Sequence, residues 1–140
     1  MKHYKPILLV EDDDVDKMIV ERALTDLNEK TQLVPTRNGA EALMYLRNRT
    51  KKKPCLILLD WNMPKMNGQE FLTIVKADDK LKKIPIVIHS TSNTREDINK
   101  GFELGAAGYI VKSHDYGKSV NTIKTIGKYW TLCEQPPNGE

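Results

Sequence analysis

Glu11 and Asp12 directly follow the apolar run ILLV, and Asp13, Asp14 and Asp16 come close behind them. Asp60 follows CLILL and opens the segment DWNMPKMNG. Ser90 and Thr91 follow PIVIH, and Lys112 follows GYIV. Two carboxylates about 4 Å apart repel by roughly 4 kcal/mol at an effective dielectric of about 20. A chain that gathers several acids must offset that repulsion with protons, a cation or water. Oxygen ligands with retained waters suit Mg2+, which is commonly held by one or two carboxylates together with phosphate oxygens. A lysine in the same place adds a compact positive charge able to pair with a carboxylate or with a phosphoryl oxygen.

Elements that end at a common edge must hold these groups together. Short apolar runs at 6–10, 31–36, 55–59, 85–89 and 108–112 read as strands. Between them, Val20, Ala23, Leu24 and Leu27 follow helical spacing, and Asn38 can cap a helix carrying Leu43 and Leu46. Asn67 with Glu70 resembles a capping box ahead of Phe71, Ile74 and Val75, and Thr94 with Asp97 repeats the pattern before Ile98 and Phe102. A last helix starts near Asp115 and carries Tyr116, Val120, Ile123, Ile126 and Trp130. Strict alternation of strand and helix predicts an α/β, doubly wound parallel sheet with helices on both faces. Ligands of such sheets bind outside the carboxyl ends of the strands. Glu11, Asp12, Asp60, Ser90, Thr91 and Lys112 all fall at such ends.

The bulk properties narrow the classes further. With 140 residues the chain is expected to be one domain over 1–133, with a short tail at 134–140. A net charge of +3 with scattered positives gives no reason to expect nucleic-acid binding, and Lys51, Lys52 and Lys53 read as a solvated loop. No apolar stretch reaches the length of a membrane span or a signal peptide, so no membrane association and a cytoplasmic location are expected. Cys55 and Cys133 lack the spacing of a zinc or redox site.

LLVEDD, LLDWNMPKMNG, IVIHSTS and GAAGYIVK resemble the four signature blocks of the bacterial response-regulator receiver domain. They stand in that family's order and spacing, and the resemblance runs from about residue 5 to 131. It implies a flavodoxin-like five-stranded sheet of order 2-1-3-4-5. It also implies that Asp60 accepts a phosphoryl group from a sensor histidine kinase. Mg2+, or alternatively Mn2+, would be held by Asp12, Asp60 and the backbone carbonyl of Asn62, with Glu11 acting through metal-bound water. Ser90 stands where the family has its switch hydroxyl, and Lys112 would pair with the phosphoryl oxygens. Backbone amides of Trp61 and Thr91 would complete the cradle, and Tyr109 would be the aromatic whose rotation reports phosphorylation. So read, the chain is a single-domain response regulator of a two-component phosphorelay, a phosphoacceptor and not a classical enzyme.

Two features depart from the family pattern. Ser113 follows Lys112 where the family usually has a proline in a cis bond, and on energy alone the Lys112–Ser113 bond should be trans. The chain also closes its last helix with KYWTLCEQPP, which resembles the stand-alone regulators paired with bacterial phytochrome kinases. That subfamily implies a phytochrome as the kinase. It also implies a homodimer formed through the face of helix 4, strand 5 and helix 5, with Tyr129, Trp130 and Leu132 in the interface.

Plainer readings stand beside these. Asp13, Asp14 and Asp16 fit the start of a helix, where negative charge suits the dipole and caps amides, better than they fit a ligand set. His89 has no histidine or cysteine partner at ligand spacing, and Trp61 fits a simple packing role. Tyr129 and Trp130 fit ordinary core nearly as well as an interface. A phosphatase of the haloacid-dehalogenase type would need a second aspartate two residues after the nucleophile, where this chain has Asn62. A receiver-like binding module without phosphorylation is the remaining alternative, and the full set of acids, Ser90 and Lys112 weighs against it.

Overall fold

The computed structural model describes residues 5–27 and 31–133, the side chain of Thr131 excepted. Five strands alternate with five helices in the order β1 (Ile7–Val10), α1 (Asp14–Leu27), β2 (Leu33–Thr36), α2 (Gly39–Arg47), β3 (Leu56–Leu59), α3 (Gly68–Ala77), β4 (Ile86–Ser90), α4 (Arg95–Glu103), β5 (Gly108–Val111) and α5 (Tyr116–Leu132). All strand pairs are parallel, and the sheet runs β2-β1-β3-β4-β5 as expected. The 134–140 tail lies outside the described residues.

The sheet is covered on both faces, which is why its central strands are apolar throughout. Leu8, Val10, Ile57, Leu59, Ile86 and Ile88 point to one side and pack with Leu43, Leu46, Phe71, Leu72 and Val75 of α2 and α3. Ile7, Leu9, Leu56, Leu58 and Val87 point to the other and pack with Ile19, Val20, Ala23 and Leu24 of α1 and Val120, Ile123 and Ile126 of α5. Successive strand residues thus feed two separate cores, as the two-residue period of a strand requires. Pro35 is accommodated because β2 is an edge strand, where a missing N–H costs no ladder bond.

Helix starts follow the capping signals. The Asn38 side chain accepts the Glu41 N–H at 3.0 Å, and the Asn67–Glu70 capping box is complete, with bonds of 2.9 and 3.2 Å. Thr94 caps α4 through the Asp97 amide and Asp115 caps α5 through the Lys118 amide. Asp13 does the same for α1, its Oδ1 accepting from Val15 and Asp16. No cis peptide bond occurs among the described residues, so Lys112–Ser113 is trans as the energy argument required. Nor is any described helix long and apolar enough to cross a membrane.

Candidate functional site

Register brings the chemistry to one edge. Val10 pairs with Leu59 across β1 and β3, so Glu11 and Asp60 leave the sheet side by side, with the Asp60 N–H on the Val10 carbonyl at 2.9 Å. Ser90 pairs with Val111 across β4 and β5, and the Lys112 N–H donates to the Ser90 carbonyl at 2.7 Å. Four strand ends that are far apart in sequence therefore meet at one edge of the sheet. The loop after Asp60 is closed by the Gly68 N–H on the Trp61 carbonyl at 3.0 Å. A Cβ at Gly68 would come within 2.6 Å of the Asp60 carbonyl oxygen, so only glycine lets α3 begin this close to the strand end.

Carboxylate oxygens of Glu11, Asp12 and Asp60 lie within 4.8 Å of one another, the sole such acidic, histidine or cysteine group among the described residues. Glu11 and Asp60 are buried while Asp12 is exposed. Burial, reinforced by the Asp60 charge, pushes the Glu11 carboxyl up to about 8 despite the nearby lysine. Asp60 is raised too, chiefly by burial, with the Lys112 charge working against the shift. Without a cation, burial therefore favours a proton on Glu11 near neutral pH. An all-oxygen donor set of this charge and spacing fits a hard divalent cation such as Mg2+ or Mn2+, whose charge would replace that proton.

Lys112 is the cation already in place. Its Nζ lies 2.7 Å from Asp16 Oδ2, 2.9 Å from Glu11 Oε1 and 3.6 Å from Asp60 Oδ1. These partners outweigh the desolvation of the ammonium and raise its pKa above the ordinary lysine value. His89, buried on the adjacent strand, is driven the other way, down to about 4, by burial first and the Lys112 charge second. It is neutral near pH 7 and outside the acidic group, as its lack of partners suggested.

Ser90 is fully buried, and its Oγ accepts the Ser92 N–H at 3.1 Å. Tyr109 is half-buried and donates its hydroxyl to the Ser92 carbonyl at 2.9 Å. Its ring lies against Gly101 of α4, where an added Cβ would stand 3.3 Å from Tyr109 Cδ2 and 2.6 Å from Ile88 Cδ1. Ser92 thereby joins the strand-end hydroxyl to the aromatic, and its own hydroxyl bonds Asp97 at the start of α4. Trp61, next to Asp60 in the chain, is buried in the core, while Asn62 and Thr91 are exposed.

Two placements differ from the sequence reading. Asp16 was grouped with Asp13 and Asp14 as a helix-start acid; Asp13 caps, but Asp16 turns inward onto Lys112. The signal was present: Asp16 stands three and four residues before Ile19 and Val20, on the stripe that α1 buries. The sequence groups Trp130 with Tyr129 and Leu132 as an interface and leaves ordinary core nearly as open for Tyr129 and Trp130. Trp130 packs against the α1–α5 core, edge-on to Tyr129 with centroids 4.9 Å apart, while Tyr129 and Leu132 are 59% and 80% exposed.

Comparison with known proteins agrees with this geometry. Residues 7–124 match the response regulator receiver domain, and the chain belongs to that family. It is 33% identical to the response regulator Rcp1 of Synechocystis over 130 residues, covering 90% of this chain and 88% of that protein. The probable methanogenesis regulatory protein FilR2 of Methanothrix harundinacea is 32% identical, with 94% and 86% covered. Among solved structures, the phosphorylated cyanobacterial phytochrome response regulator RcpA superposes with a TM-score of 0.89 at 36% identity, over 96% of this chain and 99% of that one. The Mn2+-bound form of Rcp1 superposes with a TM-score of 0.88 at 32% identity, over 94% and 99% of the two chains.

Proposed function

We propose that this receiver is a phosphorylation-operated switch in which Asp60 is the phosphoacceptor. The observation that carries the reading is a buried carboxylate at a central strand end, set between two further acids and a lysine 3.6 Å away. An Asp60 oxygen attacks the phosphorus of a kinase phosphohistidine. The P–N bond breaks with its electron pair left on the imidazole, and a P–O bond forms on Asp60. Hydrolysis breaks that P–O bond in turn, as water takes the phosphorus and leaves inorganic phosphate and the free carboxylate. Asp12, Asp60 and the Asn62 carbonyl would hold Mg2+ or Mn2+, with Glu11 through water. A bound cation supplies positive charge to the phosphoryl oxygens.

The chain's own groups do the remainder. Lys112 brings an ammonium to the phosphoryl oxygens, Ser90 offers the switch hydroxyl, and the Trp61 and Thr91 amides face the same group. Ser90 Oγ accepts the Ser92 N–H, so a hydroxyl that turns toward a phosphoryl group pulls on Ser92, whose carbonyl holds Tyr109 and whose hydroxyl holds Asp97 at the start of α4. Output then leaves through the surface of α4, β5 and α5 as a phosphorylation-adjusted homodimer, with Tyr129 and Leu132 as its exposed apolar groups. The role is that of a phosphoacceptor in the cytoplasm, serving a sensor histidine kinase of phytochrome type. The phytochrome link is supported by the nature of RcpA.

Incubation with acetyl phosphate and Mg2+ should add one hydroxylamine-labile phosphoryl group, and Asp60→Asn should abolish it. Stoichiometric labelling that persists in Asp60→Asn would overturn the assignment.

A further inference from the structure

Lys112 is closer to Asp16 than to the nucleophile it is meant to serve. The ammonium has three N–H groups; one meets Asp16 at 2.7 Å, one meets Glu11 at 2.9 Å, and Asp60 at 3.6 Å lies beyond hydrogen-bond distance. Neither of the two short contacts is equivalent in cost to break. The Glu11 side chain is only 2% exposed, so losing its Lys112 bond would leave a buried carboxyl oxygen without a partner, whereas the Asp16 side chain is 25% exposed and can be taken up by water. When a phosphoryl group on Asp60 places new anionic oxygens beside Lys112, Asp16 is the partner that yields.

From this geometry we infer that Asp16 is a positioning residue that holds Lys112 in reserve and competes with the phosphoryl group for it. The inference rests on Asp60 being the phosphoacceptor. Forming the adduct breaks the Asp16–Lys112 bond, because the starting state has it and the transition state has Lys112 on the moving phosphoryl. Hydrolysis does not, because both the adduct and its transition state already hold Lys112 on phosphoryl oxygens. Asp16 therefore slows formation and weakens binding of an acyl-phosphate mimic, while leaving adduct decay alone. A general structural defect would not divide the kinetics in that way.

The test uses the full chain with Mg2+, acetyl phosphate as donor and beryllofluoride as the acyl-phosphate mimic. Removing one charge-assisted bond to the ammonium should make Asp16→Asn react and bind beryllofluoride about tenfold better than wild type, with adduct decay within about twofold. Asp16→Glu, which keeps the charge and can reach the ammonium, should restore the wild-type rate and affinity, and guards against a loss of the helix-start charge as the cause. Equal rates and affinities in wild type and Asp16→Asn would overturn the reserve role, as would a slower, weaker variant, which would make Asp16 an anchor that Lys112 needs. A wild type that forms no hydroxylamine-labile adduct would instead remove the Asp60 reading, and the Asp16 role with it.

Discussion

Raising the pH should destabilise the metal-free protein in a narrow window, and Glu11 sets it. Its carboxyl is pushed up to about 8 from an ordinary 4.5, mainly by burial. Between those values the folded state holds a proton that the unfolded chain lacks. The resulting stability is complete below pH 4.5 and is lost as pH rises through 8. His89 acts in the opposite sense: its folded value of about 4 lies below 6.5, so the unfolded chain binds the extra proton and stability rises with pH up to 6.5. Each contributes at most about 1.4 kcal/mol per pH unit, so the two nearly cancel between about pH 4.5 and 6.5. Above that the Glu11 effect stands almost alone. From pH 6.5 to 8 it should cost on the order of 1–2 kcal/mol, opposed by a smaller gain from the end of the histidine titration. The Asp60 shift has the same direction and the same main cause, burial.

Urea midpoints of chelator-treated protein at pH 6.5, 7, 7.5 and 8 measure this directly. Wild type should lose stability steadily, Glu11→Gln should lose much less, and saturating Mg2+ should flatten the wild-type slope because the cation displaces the proton. A flat metal-free wild type, or a Glu11→Gln variant with an undiminished slope, would show that Lys112 keeps Glu11 ionised and that the buried-proton account is wrong.

Asp12→Asn should weaken Mg2+ binding by about tenfold or more, since it removes one of the few charges facing the cation; tryptophan fluorescence titration reads this, and unchanged affinity would exclude Asp12 as a ligand. Phe71→Ala empties a fully buried position between α3 and the sheet and should cost about 3–5 kcal/mol in chemical denaturation. Gly101→Ala puts a methyl 2.6 Å from Ile88 and 3.3 Å from the Tyr109 ring, so it should move Tyr109 and weaken its bond to Ser92; the ring resonances of Tyr109 should shift, and an unperturbed spectrum would show that α4 yields instead. Leu132→Asp should raise the dimer dissociation constant in sedimentation equilibrium, because a charge would enter the proposed interface; equal association of wild type and variant would place that interface elsewhere.

Much of the molecule follows from local rules that a sequence displays. Strand ends are marked where an apolar run meets a charged or polar residue, and every strand expected was present, to within two residues at either end. Capping chemistry at Asn38, Asn67, Thr94 and Asp115 depends on groups three residues apart, so those helix starts could be read directly. With strands parallel, the convergence of Glu11, Asp12, Asp60, Ser90 and Lys112 followed, since such strands put their carboxyl ends at one edge.

Tertiary structure decided what depends on distant partners. In β1, β3 and β4 both faces are apolar, so the sequence holds no alternation to say that Leu8 packs toward α2 and α3 while Leu9 packs toward α1 and α5. Asp13 and Asp16 are chemically alike, and either can favour a helix start; only the closed fold, which brings the start of α1 to Lys112 just after β5, gives Asp16 a lysine 96 residues away and leaves Asp13 as the cap. Trp130 and Tyr129 are adjacent aromatics, yet the rotation of α5 against α1 turns one to the core and the other to water. The sequence by itself determined which groups reach the pocket, because spacing along one chain controls strand ends and caps. Which acid Lys112 rests against, and how far burial raises the Glu11 and Asp60 carboxyls, are set by distances of 2.7–3.6 Å and by burial, both of which exist only once the sheet and its helices have closed together.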